Sequence, residues 1–222
     1  MNAVAERIDL ARLDDSGCAA LVARLRAARL VCFPTDTVYG VGGACTAEVA
    51  AALVNAKGRD LGKPLQVVFP SVALLETLVP MASPLLAACR ALLPGPLTLV
   101  IPYPPGWTIP TPAATLGVRV PAWPPPAQCL SRLDFPLLAS SANPSGGVAP
   151  ASLDAVDATL LATCEVALDA GPVSGVASTV LDLSEFADTG AWRVLRAGAA
   201  AEGAIAAELA AVASTEDLGA TP

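Results

Sequence analysis

The apolar residues of this chain come in short runs, and proline or a small polar turn ends most of them. Leu30-Val31-Cys32-Phe33 stops at Pro34, and Val118-Arg119-Val120 stops at Pro121. Leu97–Ile101 follows the hard turn Pro94-Gly95-Pro96. Short apolar runs with such boundaries read as buried strands, because proline has no N–H to continue a ladder. Gln66–Phe69, Leu137–Ala139, Val166–Leu168, Thr179–Leu183 and Trp192–Leu195 read the same way. Helical patterns lie between them. Asp14-Asp15-Ser16 offers N-caps to a segment with Ala19, Val22, Leu25 and Ala28 near one face, ending near Leu30. Further helices are predicted over Ala47–Ala56, Val72–Leu78, Pro84–Leu93, Pro124–Leu133 and Ser152–Leu161, and an exposed loop over Pro102–Pro112. Strands and helices that alternate irregularly predict an α/β protein with a mixed, twisted sheet. From Ala199 an alanine-rich helix leads to a polar end.

Of the 222 residues, 54% are hydrophobic and 15% charged, enough for a large core and far from the composition of a disordered chain. No apolar run reaches the ~18 residues of a membrane span. Met1–Leu10 carries Glu6, Arg7 and Asp9 where a secretion signal would be apolar. A soluble, cytoplasmic protein without a membrane partner is expected. The net charge of −7 disfavours a broad electrostatic grip on nucleic acid, which takes many cationic contacts to phosphate. The six cysteines are widely spaced, with no C-x-x-C pair, and the chain has no histidine. They read as free thiols buried in a reducing compartment, and no metal site is predicted. Lacking histidine, the chain also lacks the commonest general base.

Its two lysines both fall in Lys57-Gly-Arg-Asp-Leu-Gly-Lys63, beside Arg59 and two glycines. Positive charge gathered locally in an acidic protein suits a phosphate or carboxylate. Thr35, Arg119, the run Ser140–Asn143 and Ser178-Thr179 each sit beside a predicted strand end. Polar groups so placed converge on a crevice in α/β folds. There is no G-x-x-x-x-G-K-[ST] phosphate loop, no G-x-G-x-x-G fingerprint, no H-E-x-x-H and no EF-hand loop.

The segments are more specific in their order: Pro34-Thr35-Asp36-Thr37-Val38-Tyr39-Gly40, Lys57-Gly58-Arg59, Lys63-Pro64-Leu65, Pro94-Gly95-Pro96-Leu97-Thr98, Val118-Arg119-Val120-Pro121, Ser141-Ala142-Asn143-Pro144-Ser145-Gly146, Ser178-Thr179-Val180 and Leu195-Arg196-Ala197-Gly198. This series, from about Ala28 to Gly198, resembles the YrdC/TsaC family of threonylcarbamoyl-AMP synthases. The resemblance implies a YrdC-like twisted sheet with flanking helices around a large, concave, basic cleft. A catalytic domain over residues 1–200 is expected, with 201–222 an alanine-rich helix and flexible tail. The activity implied joins L-threonine, bicarbonate and ATP into threonylcarbamoyl-AMP and pyrophosphate, for threonylcarbamoyladenosine modification of tRNA by downstream transferase proteins. Lys57 and Arg59 match the catalytic pair. With Lys63, Thr115, Ser141, Asn143 and Arg196 they match the ATP site, while Thr35, Arg119, Ala139 and Ser178 match the threonine site. Magnesium would ride on the phosphates.

Some relatives carry histidine where this chain has Val68 and Trp123, and longer relatives append a second domain for which 222 residues leave no room. Three other readings stay open: a non-catalytic module that binds double-stranded RNA or tRNA, if only weakly; a carbamoyl-adenylate-forming domain; and a paralogue that binds nucleotide without synthesis.

Overall fold

The structure is a computed structural model that describes residues 5–58, 66–107, 114–144 and 146–219, the last five as backbone. In chain order its elements are β1 (Glu6–Asp9), α1 (Asp15–Ala27), β2 (Val31–Phe33), β3 (Gly40–Ala44), α2 (Ala47–Lys57), β4 (Gln66–Val68), α3 (Val72–Leu78), α4 (Ser83–Leu92), β5 (Leu97–Pro102), β6 (Thr115–Arg119), β7 (Leu137–Ser141), α5 (Ala158–Leu161), β8 (Val166–Asp169), β9 (Thr179–Asp182), α6 (Phe186–Thr189), β10 (Arg193–Arg196) and α7 (Glu202–Gly219). The strands form one sheet in the order β1-β8-β2-β3-β7-β4-β6-β5-β9-β10. Pairing is mixed: β1 and β2 run parallel to β8, β4 to β6 and β5 to β9, and the remaining neighbours are antiparallel.

Alternation along the strands divides the apolar side chains between two cores. Val31 and Phe33 of β2, Val68 of β4, Leu137 and Ala139 of β7, and Val166 and Leu168 of β8 join Leu21 and Leu25 of α1 on one face. Their neighbours Cys32, Val67, Leu138 and Ala167 join Leu53 of α2, Leu75 of α3 and residues of α4 on the other. Helix α7 packs on α4 and buries Ile205, Leu209 and Val212, spaced to lie on one face.

Local chemistry sets the helix ends. Asp14 caps α1 by accepting from Gly17 N, and Thr46 caps α2 by accepting from Val49 N. Gly58, at φ 54°, stops α2 in the left-handed region that glycine enters without steric cost, leaving Lys57 as the last helical residue.

Three expectations are corrected. The stretch Ser152–Leu161 is not one helix but a 3-10 turn at Leu153–Ala155 followed by α5. Asp157 interrupts it, turning its carboxylate onto Thr159 N and Leu160 N as a fresh N-cap. The segment at Pro124–Leu133 is a 3-10 helix, Pro125–Arg132, entered through three consecutive prolines that donate no hydrogen bonds. Helix α1 ends at Ala27, short of Leu30. Two strands carried no readable signal. β1 is largely charged, and β3 is Gly-Val-Gly-Gly-Ala, a composition that reads as a turn. Glycine is nonetheless required in β3: a Cβ on Gly42 would lie 1.9 Å from Leu138 O of β7. Of the loop expected over Pro102–Pro112, the described part is fastened down at Trp107. That ring packs 5.9 Å from Phe69 and its indole donates to Leu78 O; residues 108–112 lie outside the described residues.

Candidate functional site

Beyond the helical cover of α1, the same face of the sheet opens into a cavity of about 430 Å³. Thr35, Thr115, Arg119, Ala139, Ser141, Asn143, Ser178 and Arg196 all line it, so eight of the positions singled out in the sequence converge. Thr115 and Arg119 lie on β6, Ala139 and Ser141 on β7, Arg196 on β10, and Thr35 and Ser178 beside strand ends. Arg59 and Lys63 lie outside the described residues.

Arg119 is the largest fully buried side chain, 2% exposed. Its Nη2 donates to the carboxylate of Asp36, to Thr37 Oγ1 at 2.6 Å and to Thr35 Oγ1 at 3.3 Å. The turn that presents these acceptors is held by Thr35 itself, whose hydroxyl donates to Val38 O and accepts from Val38 N. Burial depresses the Arg119 pKa, and the Asp36 carboxylate opposes that shift. A guanidinium stays charged under such shifts because its ordinary pKa is so high. Its Nε is buried and has no hydrogen-bond partner. One edge of the guanidinium is therefore tied and Nε is left unsatisfied in the interior, while the residue as a whole lines the cavity. An unsatisfied buried donor costs about 1–3 kcal/mol.

Arg196 approaches from the edge strand β10. Its Nη2 donates to Ser178 O at 2.8 Å and Ser178 Oγ at 3.2 Å, and partial burial depresses its pKa. Gly198 permits this approach, since a Cβ there would sit 2.3 Å from Ala177 O. At the other end Lys57 Nζ donates to Ser141 O at 2.5 Å, joining the end of α2 to the end of β7. Asn143 directs its amide hydrogens to the carbonyls of Pro144 and Gly147, while its Oδ1 is buried without a partner.

Four further polar positions belong to this arrangement and were not singled out in the sequence. Asp36 and Thr37 sit inside the Thr35–Gly40 segment, where only Thr35 was singled out, yet they orient Arg119. Gln66 and Thr98 line the cavity and are hydrogen-bonded to each other. For Gln66 and Thr98 the available signal was polarity, each being a polar residue within an apolar run; Asp36 and Thr37, in a polar turn, carried none. Of the two departures from histidine, Val68 lines the cavity, whereas Trp123 is a core residue whose indole donates to Pro70 O.

The thiols are unpaired, and five of the six are buried. Burial pushes Cys45 and Cys89 up to about 12 and Cys129 and Cys164 up to about 11, so these hold neutral thiols at physiological pH. Among the described residues no group of three His, Cys, Asp or Glu could hold a metal, and no helix is long and apolar enough to cross a membrane.

Fold and cavity together define an α/β protein that gathers cationic and neutral donors around a small-molecule pocket. The chain belongs to the Sua5/YciO/YrdC family, whose family model, described as "Telomere recombination", matches residues 23–198. A Mycobacterium leprae protein, provisionally named a threonylcarbamoyl-AMP synthase, is 37% identical over 201 residues, covering 88% of this chain and 89% of that one. The human threonylcarbamoyl-AMP synthase is 32% identical over 204 residues, covering 82% of this chain and 67% of its own. The crystal structure of P. abyssi Sua5 complexed with L-threonine superposes with a TM-score of 0.74 at 31% identity, over 88% of this chain. This chain spans 58% of that structure's length.

Proposed function

We propose that this protein is a threonylcarbamoyl-AMP synthase, an enzyme that condenses L-threonine, bicarbonate and ATP into threonylcarbamoyl-AMP with release of pyrophosphate. The observation that carries the proposal is Arg119, a buried cation that lines the cavity and is fixed by Asp36 on one edge. A donor of that kind suits the carboxylate of an amino acid. Its relatives named for this activity, and the L-threonine complex of P. abyssi Sua5, point the same way.

In this reading Thr35, Arg119, Ala139 and Ser178 hold threonine. Lys57 and Arg59, with Lys63, hold the triphosphate, and Thr115, Ser141, Asn143 and Arg196 hold the rest of the nucleotide. Bicarbonate adds to the threonine amine with loss of water, giving a carbamate. A carbamate oxygen attacks the α-phosphorus of ATP, the P–O bond to the β-phosphate breaks, and pyrophosphate leaves. Attack by an anionic oxygen needs alignment and charge neutralisation more than a general base, which a chain without histidine can supply. Asp36, the carboxylate beside Arg119, is engaged by it, so the described residues offer no ready magnesium cage. Magnesium would enter with the triphosphate and neutralise its charge. The product would pass in the cytoplasm to proteins that transfer the threonylcarbamoyl group to tRNA.

The test is pyrophosphate release by the purified protein from ATP, with and without L-threonine and bicarbonate. Release should require both. Equal release without threonine would overturn the assignment.

A further inference from the structure

A string of hydrogen bonds, buried at its centre, runs along the cavity lining from β10 to β4. Arg196 Nη2, a pure donor, reaches Ser178 Oγ at 3.2 Å; Ser178 Oγ lies 2.9 Å from Thr98 Oγ1; Thr98 Oγ1 donates to Gln66 Oε1 at 3.2 Å. The direction of the string follows from counting hydrogens. Thr98 has one hydroxyl hydrogen and directs it to Gln66, so Ser178 is the donor between the two hydroxyls. Ser178 in turn accepts from Arg196. Every link thus points toward Gln66, whose Oε1 accepts from Thr98.

The string crosses β6 at Gly117, which pairs with Gln66 on β4 and Val100 on β5. A Cβ at Gly117 would fall 3.6 Å from both Gln66 Cβ and Thr98 Cγ2, so the missing side chain leaves the space through which the two meet. With Oε1 engaged, the Gln66 NH2 group remains, and Nε2 makes no hydrogen bond to the described residues.

Two other neutral side chains of the lining have their hydrogens directed to carbonyls of the chain. Thr35 donates to Val38 O, and Asn143 to two carbonyls. The arginines are charged and suit carboxylate or phosphate. Gln66 is a neutral donor in register with Ala139, and Val68, two residues on, faces the same cavity as an apolar wall. A neutral N–H beside an apolar surface complements a side chain that carries one hydroxyl and one methyl group.

We infer that Gln66, held by Thr98, Ser178 and Arg196, is the specificity-determining residue that donates from Nε2 to the side-chain hydroxyl of the amino-acid substrate, with Val68 against its methyl group. This rests on the threonine reading above and names the group that separates threonine from its isostere valine. A site that hydrogen-bonds a substrate hydroxyl rejects the analogue lacking it, because valine leaves the donor unpaired.

The test is calorimetric titration of the full-length chain with L-threonine and with L-valine, both with a non-hydrolysable ATP analogue present. The parent should prefer threonine by roughly 10- to 100-fold, the range for one donor left unpaired. Gln66→Met, of similar length and without donors, should weaken threonine by about 10-fold or more and leave valine nearly unchanged. Thr98→Val keeps the shape, unlocks the amide and should lower the preference part of the way, which keeps the test decisive if Gln66→Met folds poorly. Equal weakening of both ligands, or an unchanged preference in both variants, would overturn the inference while leaving the synthase reading intact. Failure of the parent to bind threonine would overturn both.

Discussion

Replacing Asp36 by Asn tests whether the Arg119 arrangement is built on a buried charge pair. Arg119 is 2% exposed at its side chain and Asp36 13%, so water screens neither well. Loss of the carboxylate leaves a guanidinium whose remaining described acceptors are the hydroxyls of Thr35 and Thr37. Breaking a buried ion pair from one side costs about 3–5 kcal/mol. The two hydroxyls and the asparagine oxygen still accept, which places the expected loss near the lower end, about 3 kcal/mol. In a chain of this size each kcal/mol moves the thermal midpoint by roughly 2–4 °C, so a drop of about 6–12 °C should follow. Thermal and urea unfolding at pH 7 are the assays, with Asp36→Asn, Arg119→Met and the double variant measured together. The double variant removes both charges and should recover part of the loss, a coupling of about 2 kcal/mol or more. A loss under about 1 kcal/mol in Asp36→Asn, or losses that simply add, would refute the argument.

Lys57→Met should lower threonine-dependent pyrophosphate release by about 100-fold or more, the range for removing one charge-stabilising donor, with the unfolding midpoint near the parent's. Turnover within a few-fold of the parent would remove Lys57 from the phosphate site. Gly198→Ala should force the backbone at Ala177 and Ser178 to move, because its Cβ would meet Ala177 O at 2.3 Å; calorimetry should show threonine binding weakened by about 10-fold, of the size one lost hydrogen bond produces. Arg7→Ala breaks contacts to Asp154 and Asp169 but at an exposed site, so its urea midpoint should match the parent's within error. Initial rates should rise with pH as the substrate amine loses its proton, with no inflection from a histidine or cavity thiol; a bell with an acidic limb in the histidine range would show a base not accounted for here.

Much of the sheet was legible because burial on both faces leaves continuous apolar runs, and proline marks where they stop. β3 was not, because its sequence answers to a neighbour rather than to strand propensity: Gly42 is set by the Leu138 carbonyl, which belongs to a strand almost a hundred residues away. The site shows the same division. Ordered motifs singled out Thr35, Arg119, Ser141, Asn143, Ser178 and Arg196, and these line one cavity. Asp36 and Gln66 were opaque because their roles exist only across the sheet, Asp36 through Arg119 on β6 and Gln66 through Thr98 on β5. An isolated aspartate in a turn reads as turn chemistry, and an isolated glutamine at a strand start reads as surface polarity.

The lack of histidine then acquires a structural meaning. Tyr39, the buried phenol nearest the Thr35 turn, donates to Gly171 O and is pushed up to about 12, chiefly by burial. Cavity chemistry thus falls to groups whose charge is constant near neutral pH. Arg119 and Arg196 are the ionisable side chains that line the cavity among the described residues, and Lys57 meets it through Ser141. Groups of that kind cannot shuttle protons, but they can hold two anions in line without first being protonated. A reaction whose nucleophile becomes anionic when its carbamate forms, and whose leaving group departs as pyrophosphate, asks for that arrangement. The geometry therefore favours phosphoryl-centre displacement over acyl transfer, which would pair a cavity hydroxyl with a base; among the described residues that line the cavity none is a carboxylate, histidine or lysine.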